Sequence, residues 1–212
     1  MPELPEVETV RRGLETTVVG RRISEVEVLG RRTVRRQSPA ELTAALLGRT
    51  LIKAGRRGKF LLLSLDDGAV LVVHLRMTGQ LLHLRGRRRP AVAPHTHVVV
   101  RFGDGTELRF VDPRTFGEWF VTTEVDDQGV PRELSHIGRD PLVEGLPTAY
   151  LAACLAGRRA PLEALLTDQR LVAGIGSIYA DEICFRARLR PDRPGGSLTA
   201  LEVAALAKAL SS

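Results

Sequence analysis

The chain has 212 residues, of which 43% are hydrophobic and 26% charged, and its formal net charge is +6. This composition excludes an intrinsically disordered chain, and its apolar runs, such as residues 69–73, are too short to cross a bilayer. The acidic N-terminus lacks the basic and apolar segments of a signal peptide, so we expect a cytoplasmic protein with no membrane partner.

The basic charge favours a polyanionic partner without identifying it. Among 31 Lys and Arg residues only three are lysines, namely Lys53, Lys59 and Lys208. Any imine chemistry must therefore use one of these three or the N-terminal amine. The two cysteines, Cys154 and Cys184, are too few for a four-cysteine zinc site and indicate no disulfide framework.

A helix, a strand and a second helix are predicted first. Apolar residues recur at three- and four-residue spacing over 5–18, which predicts a helix that ends at Gly20. Alternation over 23–29 predicts a strand. A capping box from Ser38 to Glu41 predicts a short helix that reaches residue 47. The arginines between 31 and 36 form a basic run, which we interpret as a solvated edge in preference to a phosphate-facing one.

From residue 50 to 123 the pattern is typical of β structure throughout. Seven further strands are predicted, at 50–55, 60–65, 69–76, 80–84, 97–102, 106–111 and 118–123. Asp66-Asp67-Gly68 and Gly103-Asp104-Gly105 have the composition of hairpin turns. Short antiparallel strands at this spacing indicate a two-sheet sandwich. The basic stretch 85–89 is predicted to be a mobile loop.

The last third is predicted to be helical, with helices at 148–155, 161–167, 178–188 and 198–210. The preceding residues 124–146 are polar and rich in turn formers, which indicates a linker. The sequence therefore predicts an α+β protein in two domains. An antiparallel β-sandwich flanked by helices occupies 1–123, and an all-α domain occupies 147–212.

The N-terminus combines an amine with two acids. Removal of Met1 would leave Pro2 with a free secondary amine, and the carboxylates of Glu3 and Glu6 follow closely. Such a group can attack an electrophilic carbon with proton transfer nearby. The alternative is purely structural, since Pro5 and Glu6 are also typical of the first turn of a helix.

Four other stretches carry candidate functional residues, each weak by itself. Lys59 lies in a cation-rich turn, and Met77 lies in a turn after His74, where an unbranched side chain could fill a gap in a base stack. Arg114 and Phe116 share a turn and could act as a wedge, although most Phe residues fold into the core. Gly174 and Gly176 precede a helix start, where backbone N–H groups suit a phosphate.

One pair of histidines was considered as a metal site. His95 and His97 are predicted to share a strand face, but no carboxylate or further histidine lies nearby in sequence. Because a ligand set needs three or four members, we interpret them as structural or surface residues and predict no metal site.

Five motifs in one order resemble the bacterial formamidopyrimidine-DNA glycosylase family, whose members remove oxidised purines from DNA. They are residues 1–9 (MPELPEVET), 59–63 (KFLLL), 74–79 (HLRMTG), 112–117 (DPRTFG) and 171–182 (LVAGIGSIYADE). The resemblance covers essentially the whole chain. It implies a base-excision-repair enzyme that is a DNA glycosylase and an AP lyase, acts on double-stranded DNA as a monomer, and has a helix–two-turns–helix element in its helical domain.

The resemblance also implies roles for individual residues at the lesion. Pro2 would be the nucleophile at the sugar C1′ and form an iminium link to DNA, after which the 3′ and then the 5′ phosphate would be eliminated. Glu3 would move protons and Glu6 would support it. Lys59 would lie at the lesion nucleotide and its phosphate.

The remaining implied roles concern DNA binding. His74 would contact backbone phosphate, and Met77, Arg114 and Phe116 would fill the gap, with Arg114 facing the orphaned base. The backbone around Gly174, Gly176 and Ser177 would grip a phosphate.

Two departures from the family pattern stand out. Ser177 occupies a position where family members usually have Asn, and a hydroxyl reaches a phosphate less well than an amide. Family members also continue into a lesion-recognition loop and a four-cysteine zinc finger, and neither lies within these 212 residues. We therefore interpret the chain as truncated before the zinc finger and expect no cofactor bound to it.

Three alternatives stay open at this point. The first is the sister branch of the family that acts on oxidised pyrimidines, although Leu4 and the Met77, Arg114 and Phe116 set favour the purine branch. The second is a non-catalytic protein that binds damaged DNA. The third is a basic RNA-binding module, which would not need Pro2 or the wedge residues.

Overall fold

The structure, a computed structural model, describes residues 1–86 and 91–211 and divides into two units. The first unit is Met1–Ser135 and the second is His136–Ser212. The segment interpreted as a linker, 124–146, is thus shared between the two units. Most of the basic loop predicted at 85–89 lies outside the described residues.

The first unit is an antiparallel β-sandwich. Its described residues form eight strands: β1 (Ile23–Val28), β2 (Leu51–Arg57), β3 (Phe60–Leu65), β4 (Val70–His74), β5 (Gln80–Leu84), β6 (Thr96–Phe102), β7 (Glu107–Val111) and β8 (Glu118–Thr122). One sheet has the order β1-β6-β7-β5 and the other β2-β3-β4-β8. The predicted fold class and all eight predicted strands are confirmed, with ends that differ by one or two residues.

The sandwich is held by a core that both sheets share. Phe110 of one sheet and Trp119 of the other are fully buried, with ring centroids 5.6 Å apart. The predicted hairpin turns are present, because Gly68 and Gly105 both adopt the left-handed φ of 88° that such turns need. These turns lie at the end of the sandwich opposite to the β4–β5 and β7–β8 connections, which carry the candidate site residues.

Two helices flank the sandwich, α1 (Leu4–Thr17) and α2 (Pro39–Leu46). The buried face of α1 is formed by Leu4, Val7 and Leu14, and it packs against β2. The predicted capping box of α2 is confirmed, since the Ser38 N–H donates to Glu41 Oε2 at 2.7 Å and the Glu41 N–H donates to Ser38 Oγ at 3.2 Å.

Gly13 in α1 offers a test of the local energetics. A Cβ at this position would meet no atom within 4 Å. Gly13→Ala is therefore expected to raise the free energy of unfolding by about 0.5–1 kcal/mol, because Ala loses less backbone entropy in a helix. Gly20 is the control: it too has open space, but its φ of 81° disfavours a side chain. Gly20→Ala should lower stability in the same thermal unfolding measurement.

The described part of the second unit is helical, with α3 (Thr148–Leu155), α4 (Leu162–Thr167), α5 (Ser177–Ala187) and α6 (Ala200–Leu210) around a core of their own. The predicted capping box of α6 is confirmed by the Thr199 N–H, which donates to Glu202 Oε2 at 2.8 Å. Over the described ranges, neither unit contains a helix with the length and apolarity needed to span a membrane.

Candidate active site

The N-terminus is anchored by the start of α1. Glu6 lies in the first turn of α1, as the structural interpretation predicted, and it also caps the helix, because the Glu3 N–H donates to Glu6 Oε2 at 2.9 Å. Glu3 is only 3% exposed, whereas Met1 lies on the surface. The first residues are therefore held in one place, with a buried carboxylate directly beside the chain end.

Lys59 is brought next to this carboxylate by the β2–β3 turn. Its side chain is 5% exposed. Burial lowers the pKa of Lys59, and the nearby Glu3 carboxylate opposes that shift. The two groups thus interact electrostatically although they are far apart in sequence. A desolvated ammonium beside a carboxylate can bind an incoming anion or take part in proton transfer.

His74, at the end of β4, lies in the same region. It faces Phe60 across the ladder, with the two rings edge to face at a centroid distance of 4.4 Å. Burial, followed by the charges of Arg76 and Lys59, lowers the pKa of His74 to about 3. The Arg76 N–H donates to His74 Nδ1 at 2.9 Å, so the proton of the neutral ring is on Nε2. His74 is therefore a neutral N–H donor at physiological pH.

This burial makes a pH prediction for stability. Because the folded-state pKa of His74 lies below its ordinary value of 6.5, the folded protein binds fewer protons between these values. The contribution of the neutral His74 ring to the free energy of unfolding is complete above pH 6.5 and is lost as the pH falls toward 3. For this single group the free energy of unfolding falls by at most about 1.4 kcal/mol for each pH unit by which the pH is lowered.

Chemical denaturation between pH 7 and 5 measures this slope. His74→Gln, whose amide oxygen can accept the Arg76 N–H, should reduce it. His136→Gln is the matched control, because His136 is exposed and its replacement should leave the slope unchanged. Equal slopes in wild type and His74→Gln would contradict the prediction.

The predicted gap-filling residues meet at one open cavity. Met77 and Phe116 are 45% and 48% exposed, which confirms that neither is a core residue. Together with Met1 they line a cavity of about 500 Å³. The Arg114 guanidinium lies 5.0 Å from the centroid of the Phe116 ring. The structure therefore places the chain end, Met77 and Phe116 around the same space, with Arg114 against the Phe116 ring.

Three charged residues that line this cavity were missed by sequence reasoning: Arg35, Arg76 and Glu118. The Arg76 guanidinium lies 2.9 Å from Glu118 Oε2, and Arg36 lies 3.6 Å from Oε1. Arg35 and Arg36 belong to the basic run that we interpreted as a solvated edge, so part of that run faces the cavity. The position of Glu118 directly after the 112–117 motif is the sequence feature that could have identified it.

An ion pair that sequence reasoning also missed holds the β2–β3 turn in which Lys59 lies. Arg56, whose side chain is 1% exposed, pairs with Glu8 of α1 at 3.2 Å and donates to the Gly58 carbonyl at 3.0 Å. Although burial opposes it, hydrogen bonds from Arg11, Arg12 and Arg56 lower the pKa of Glu8 to about 2. This ion pair fixes the turn that presents Lys59 relative to α1.

The glycine hairpin in the second unit precedes α5 as predicted. Gly174 has a φ of 86°, and its N–H donates to Gln169 Oε1 at 2.8 Å, while Gln169 Nε2 donates to the Ile175 carbonyl at 2.7 Å. The Gly174 N–H thus serves the turn itself. Gly176 precedes the helix and Ser177, which is exposed, opens it. Gln169 was not found from the sequence.

The prediction that His95 and His97 share a strand face is wrong. His95 is exposed, has a φ of 63° and precedes β6, whereas His97 Nε2 lies 2.8 Å from the Asp112 carbonyl oxygen. Over residues 1–86 and 91–211, no three His, Cys, Asp or Glu side chains are grouped as a metal site requires.

The cysteines do not fit a zinc site. Cys184 is buried, and burial raises the pKa of its thiol to about 11; in the described ranges it belongs to no group of three His, Cys, Asp or Glu side chains. Cys154 is partly exposed and also carries a free thiol. We therefore assign no chemical step to a metal.

Comparisons with known proteins identify the family of the chain. The family model described as Formamidopyrimidine-DNA glycosylase N-terminal domain matches residues 1–119. The one described as Formamidopyrimidine-DNA glycosylase H2TH domain matches residues 137–212. A protein from Moorella thermoacetica named formamidopyrimidine-DNA glycosylase is 45% identical over 210 residues, which cover 99% of this chain and 76% of that protein.

Two solved structures of the Lactococcus lactis protein Fpg are also similar. One is its complex with DNA that contains an abasic site, with a TM-score of 0.90 and 32% identity over 99% of this chain and 75% of that one. The other is its complex with DNA that contains an oxidised pyrimidine, with a TM-score of 0.90 and 32% identity over 99% and 77%. The chain therefore belongs to the formamidopyrimidine-DNA glycosylase family.

Proposed function

We propose that the chain is a bifunctional DNA glycosylase and AP lyase of base excision repair. Its substrates are oxidised purines, 8-oxoguanine and formamidopyrimidines, in double-stranded DNA. The observation that carries this proposal is the shared cavity: Met1 lines it with Met77 and Phe116, and Glu3 beside the chain end interacts with Lys59. An acid and a cation thus interact beside a chain end that borders the cavity lined by Met77 and Phe116.

Covalent catalysis begins at the amine of Pro2 once Met1 is removed. An α-amino group ordinarily has a pKa of about 8, so on the order of a tenth is unprotonated at neutral pH, far more than for a lysine side chain. The nitrogen lone pair forms a bond to C1′ of the damaged nucleotide, and the glycosidic bond breaks with its electrons leaving on the base. Glu3 supplies the proton that the departing base requires.

Strand cleavage follows from the same adduct. The C1′–O4′ bond breaks as the proton of the amine nitrogen moves to O4′, which opens the sugar ring. Because a secondary amine cannot give a neutral imine, the product is an iminium cation that acidifies C2′. Loss of a C2′ proton to Glu3 forms a carbon–carbon double bond and expels the 3′ phosphate, and a second elimination expels the 5′ phosphate. Glycosylase and lyase activities therefore use one nucleophile.

The surrounding residues bind and orient the lesion. Lys59 supplies a cation for the lesion phosphate, and His74 donates its Nε2–H as a neutral group. Met77 and Phe116 fill the gap left by the extruded nucleotide, and Arg114 faces the orphaned base. Extrusion costs a few kcal/mol, which these contacts offset.

The second unit contributes a phosphate contact through the start of α5. A helix N-terminus presents N–H groups and a positive dipole end. Ser177 is the exposed first residue of that helix, and Gly174 and Gln169 shape the hairpin before it. The DNA complex of the similar Lactococcus lactis protein supports DNA as the partner. The proposed reaction requires no cofactor.

Removal of oxidised pyrimidines is a second candidate activity. The observation that favours it is the similar Lactococcus lactis structure, whose DNA contains an oxidised pyrimidine. A purine-specific enzyme and one with broader specificity would share every residue named above. Only a comparison of substrates separates them.

The test is a substrate panel with matched duplexes. The DNA contains 8-oxoguanine, an oxidised pyrimidine, an abasic site or no lesion, and base release and strand ends are measured separately. We expect base release from 8-oxoguanine DNA and cleavage products with phosphate at both ends. Binding to damaged DNA without base release or strand cleavage would instead support a non-catalytic damage-binding protein. Equal binding to undamaged RNA would support a general nucleic-acid-binding module.

A further inference from the structure

The turns that carry the gap-filling residues are joined by one buried carboxylate, Asp112. Its side chain accepts the Thr78 hydroxyl and the Arg114 N–H through Oδ1, and the Gly117 N–H at 2.7 Å through Oδ2. Thr78 follows Met77 in the first turn, whereas Arg114 and Gly117 belong to the second. The carboxylate thus links residues 75–79 to residues 112–117.

Asp112 is fully buried yet favours its charged form. Burial alone would raise its pKa, but hydrogen bonds from Thr78 and from the backbone of Gly117, Arg114 and Phe116 lower it. An anion surrounded by this many donors has a fixed orientation, because every rotation breaks several charge-assisted hydrogen bonds.

The backbone around Asp112 is unusually strained. Five residues other than glycine have a left-handed φ in the described ranges, and three of them lie in this cluster: Arg76 at 54°, Thr115 at 56° and His95 at 63°. Arg76 and Thr115 flank the wedge residues, and the His95 carbonyl accepts the Asp112 N–H at 2.9 Å. Such conformations persist only where surrounding contacts hold them, and they concentrate at functional sites.

Both turns also rest on the same aromatic ring. A Cβ on Gly79 would come within 2.8 Å of Phe110, and a Cβ on Gly117 within 2.3 Å. Because no side chain fits at either position, each backbone lies directly against the ring. The Phe110 ring, against which both turns pack, and the Asp112 carboxylate, which is hydrogen-bonded to both, therefore set the distance between turn 75–79 and turn 112–117.

We propose that Asp112 is a positioning residue that holds Met77, Arg114 and Phe116 in one preformed arrangement for filling the gap in the base stack. This inference rests on the proposed function and concerns its base-extrusion step. Asp112 does not touch the DNA. It acts by keeping the two turns in register, so that the wedge residues enter the stack without first becoming ordered.

Asp112→Asn and Thr78→Val test the proposal. Asn keeps the size of the side chain but places an N–H group against backbone and hydroxyl donors. Thr78→Val removes the hydroxyl that donates to Asp112 and keeps the shape of the Thr78 side chain. This variant still tests the proposal if Asp112→Asn does not fold. Thr106→Val is the matched control, since the Thr106 hydroxyl donates to Asp104 at 2.7 Å in a hairpin turn remote from the cavity.

Three readouts distinguish positioning from a general loss of structure. Base release from 8-oxoguanine DNA should fall on the order of 10²-fold in Asp112→Asn and about tenfold in Thr78→Val, in kcat more than in KM. Cleavage at a preformed abasic site should fall much less, because no base has to be extruded. The fluorescence of 2-aminopurine placed opposite an abasic analogue should rise less on binding than with wild type.

The outcomes separate this inference from the proposed function. Wild-type protein that releases no base from any lesion duplex would overturn both. Suppose instead that the wild type is active and that Asp112→Asn and Thr78→Val both match Thr106→Val in base release and in 2-aminopurine fluorescence. This result would overturn the positioning role alone. Equal losses on lesion and abasic duplexes would also overturn it, because they would show a general structural effect.

Discussion

An N-terminal extension that keeps Met1 in front of Pro2 is expected to abolish covalent capture of DNA. In the extended chain the Pro2 nitrogen is an amide, whose lone pair is delocalised and cannot attack C1′. Borohydride trapping on duplexes with 8-oxoguanine or an abasic site should yield an adduct with the mature protein and none with the extended one. Base release should fall to the rate of DNA without protein.

The control for this experiment carries the same extension after Ser212. It should trap DNA as the mature protein does, because its N-terminal amine is free. Pro2→Gly adds a second comparison, since it keeps an amine but makes it primary and the adduct a neutral imine at high pH. Undiminished trapping by the N-terminally extended protein would show that another group is the nucleophile.

Glu3→Gln is expected to separate base release from covalent capture. The carboxylate is buried beside the chain end and interacts with Lys59, so its loss removes the group placed to transfer protons. Base release should fall by about 10²–10⁴-fold, which is the usual contribution of general acid–base catalysis. Trapping at a preformed abasic site should persist, because the base has already left.

Glu15→Gln is the matched control for that prediction. Glu15 lies on the same helix and accepts the Ala54 N–H at 3.1 Å, an acceptor role that Gln can keep. Single-turnover base release by Glu15→Gln should match wild type. Equal losses in Glu3→Gln and Glu15→Gln would indicate damage to α1 and would refute the catalytic role of Glu3.

The secondary structure was predictable because its causes are local. The signals that act within a few residues are the alternation along β1, the short apolar runs of β3 and β4, the glycines of the hairpins and the capping boxes at Ser38 and Thr199. His95 was misplaced for the same reason. Its two-residue spacing from His97 puts it on the same face only if the strand extends to it, whereas it has a left-handed backbone and its carbonyl accepts the N–H of the distant Asp112.

The site was predictable only in part, because its chemistry depends on long-range contacts. The motifs named Glu3, Lys59 and His74, but nothing local shows that burial makes His74 neutral or that Glu3 interacts with Lys59. Gly174 was chosen as a phosphate donor by its residue type, and its hydrogen bond to Gln169 assigns its N–H to the turn.

The two interpretations of the N-terminus turn out to be compatible. Glu6 caps α1 through the Glu3 N–H, as a plain helix start would require. The same hydrogen bond holds the Glu3 backbone, and with it the position of Pro2. Local helix capping is thus what places the proposed nucleophile, so a structural role for Glu6 supports the catalytic one.

Peptide mapping of the borohydride-trapped adduct tests the central claim most directly. Only Lys53, Lys59, Lys208 and the chain terminus offer amines for such a link. Mass spectrometry of the digested adduct should locate the sugar remnant on the N-terminal peptide that begins with Pro2. A remnant on Lys59 or another lysine, or no adduct from protein whose Met1 has been removed, would contradict the account.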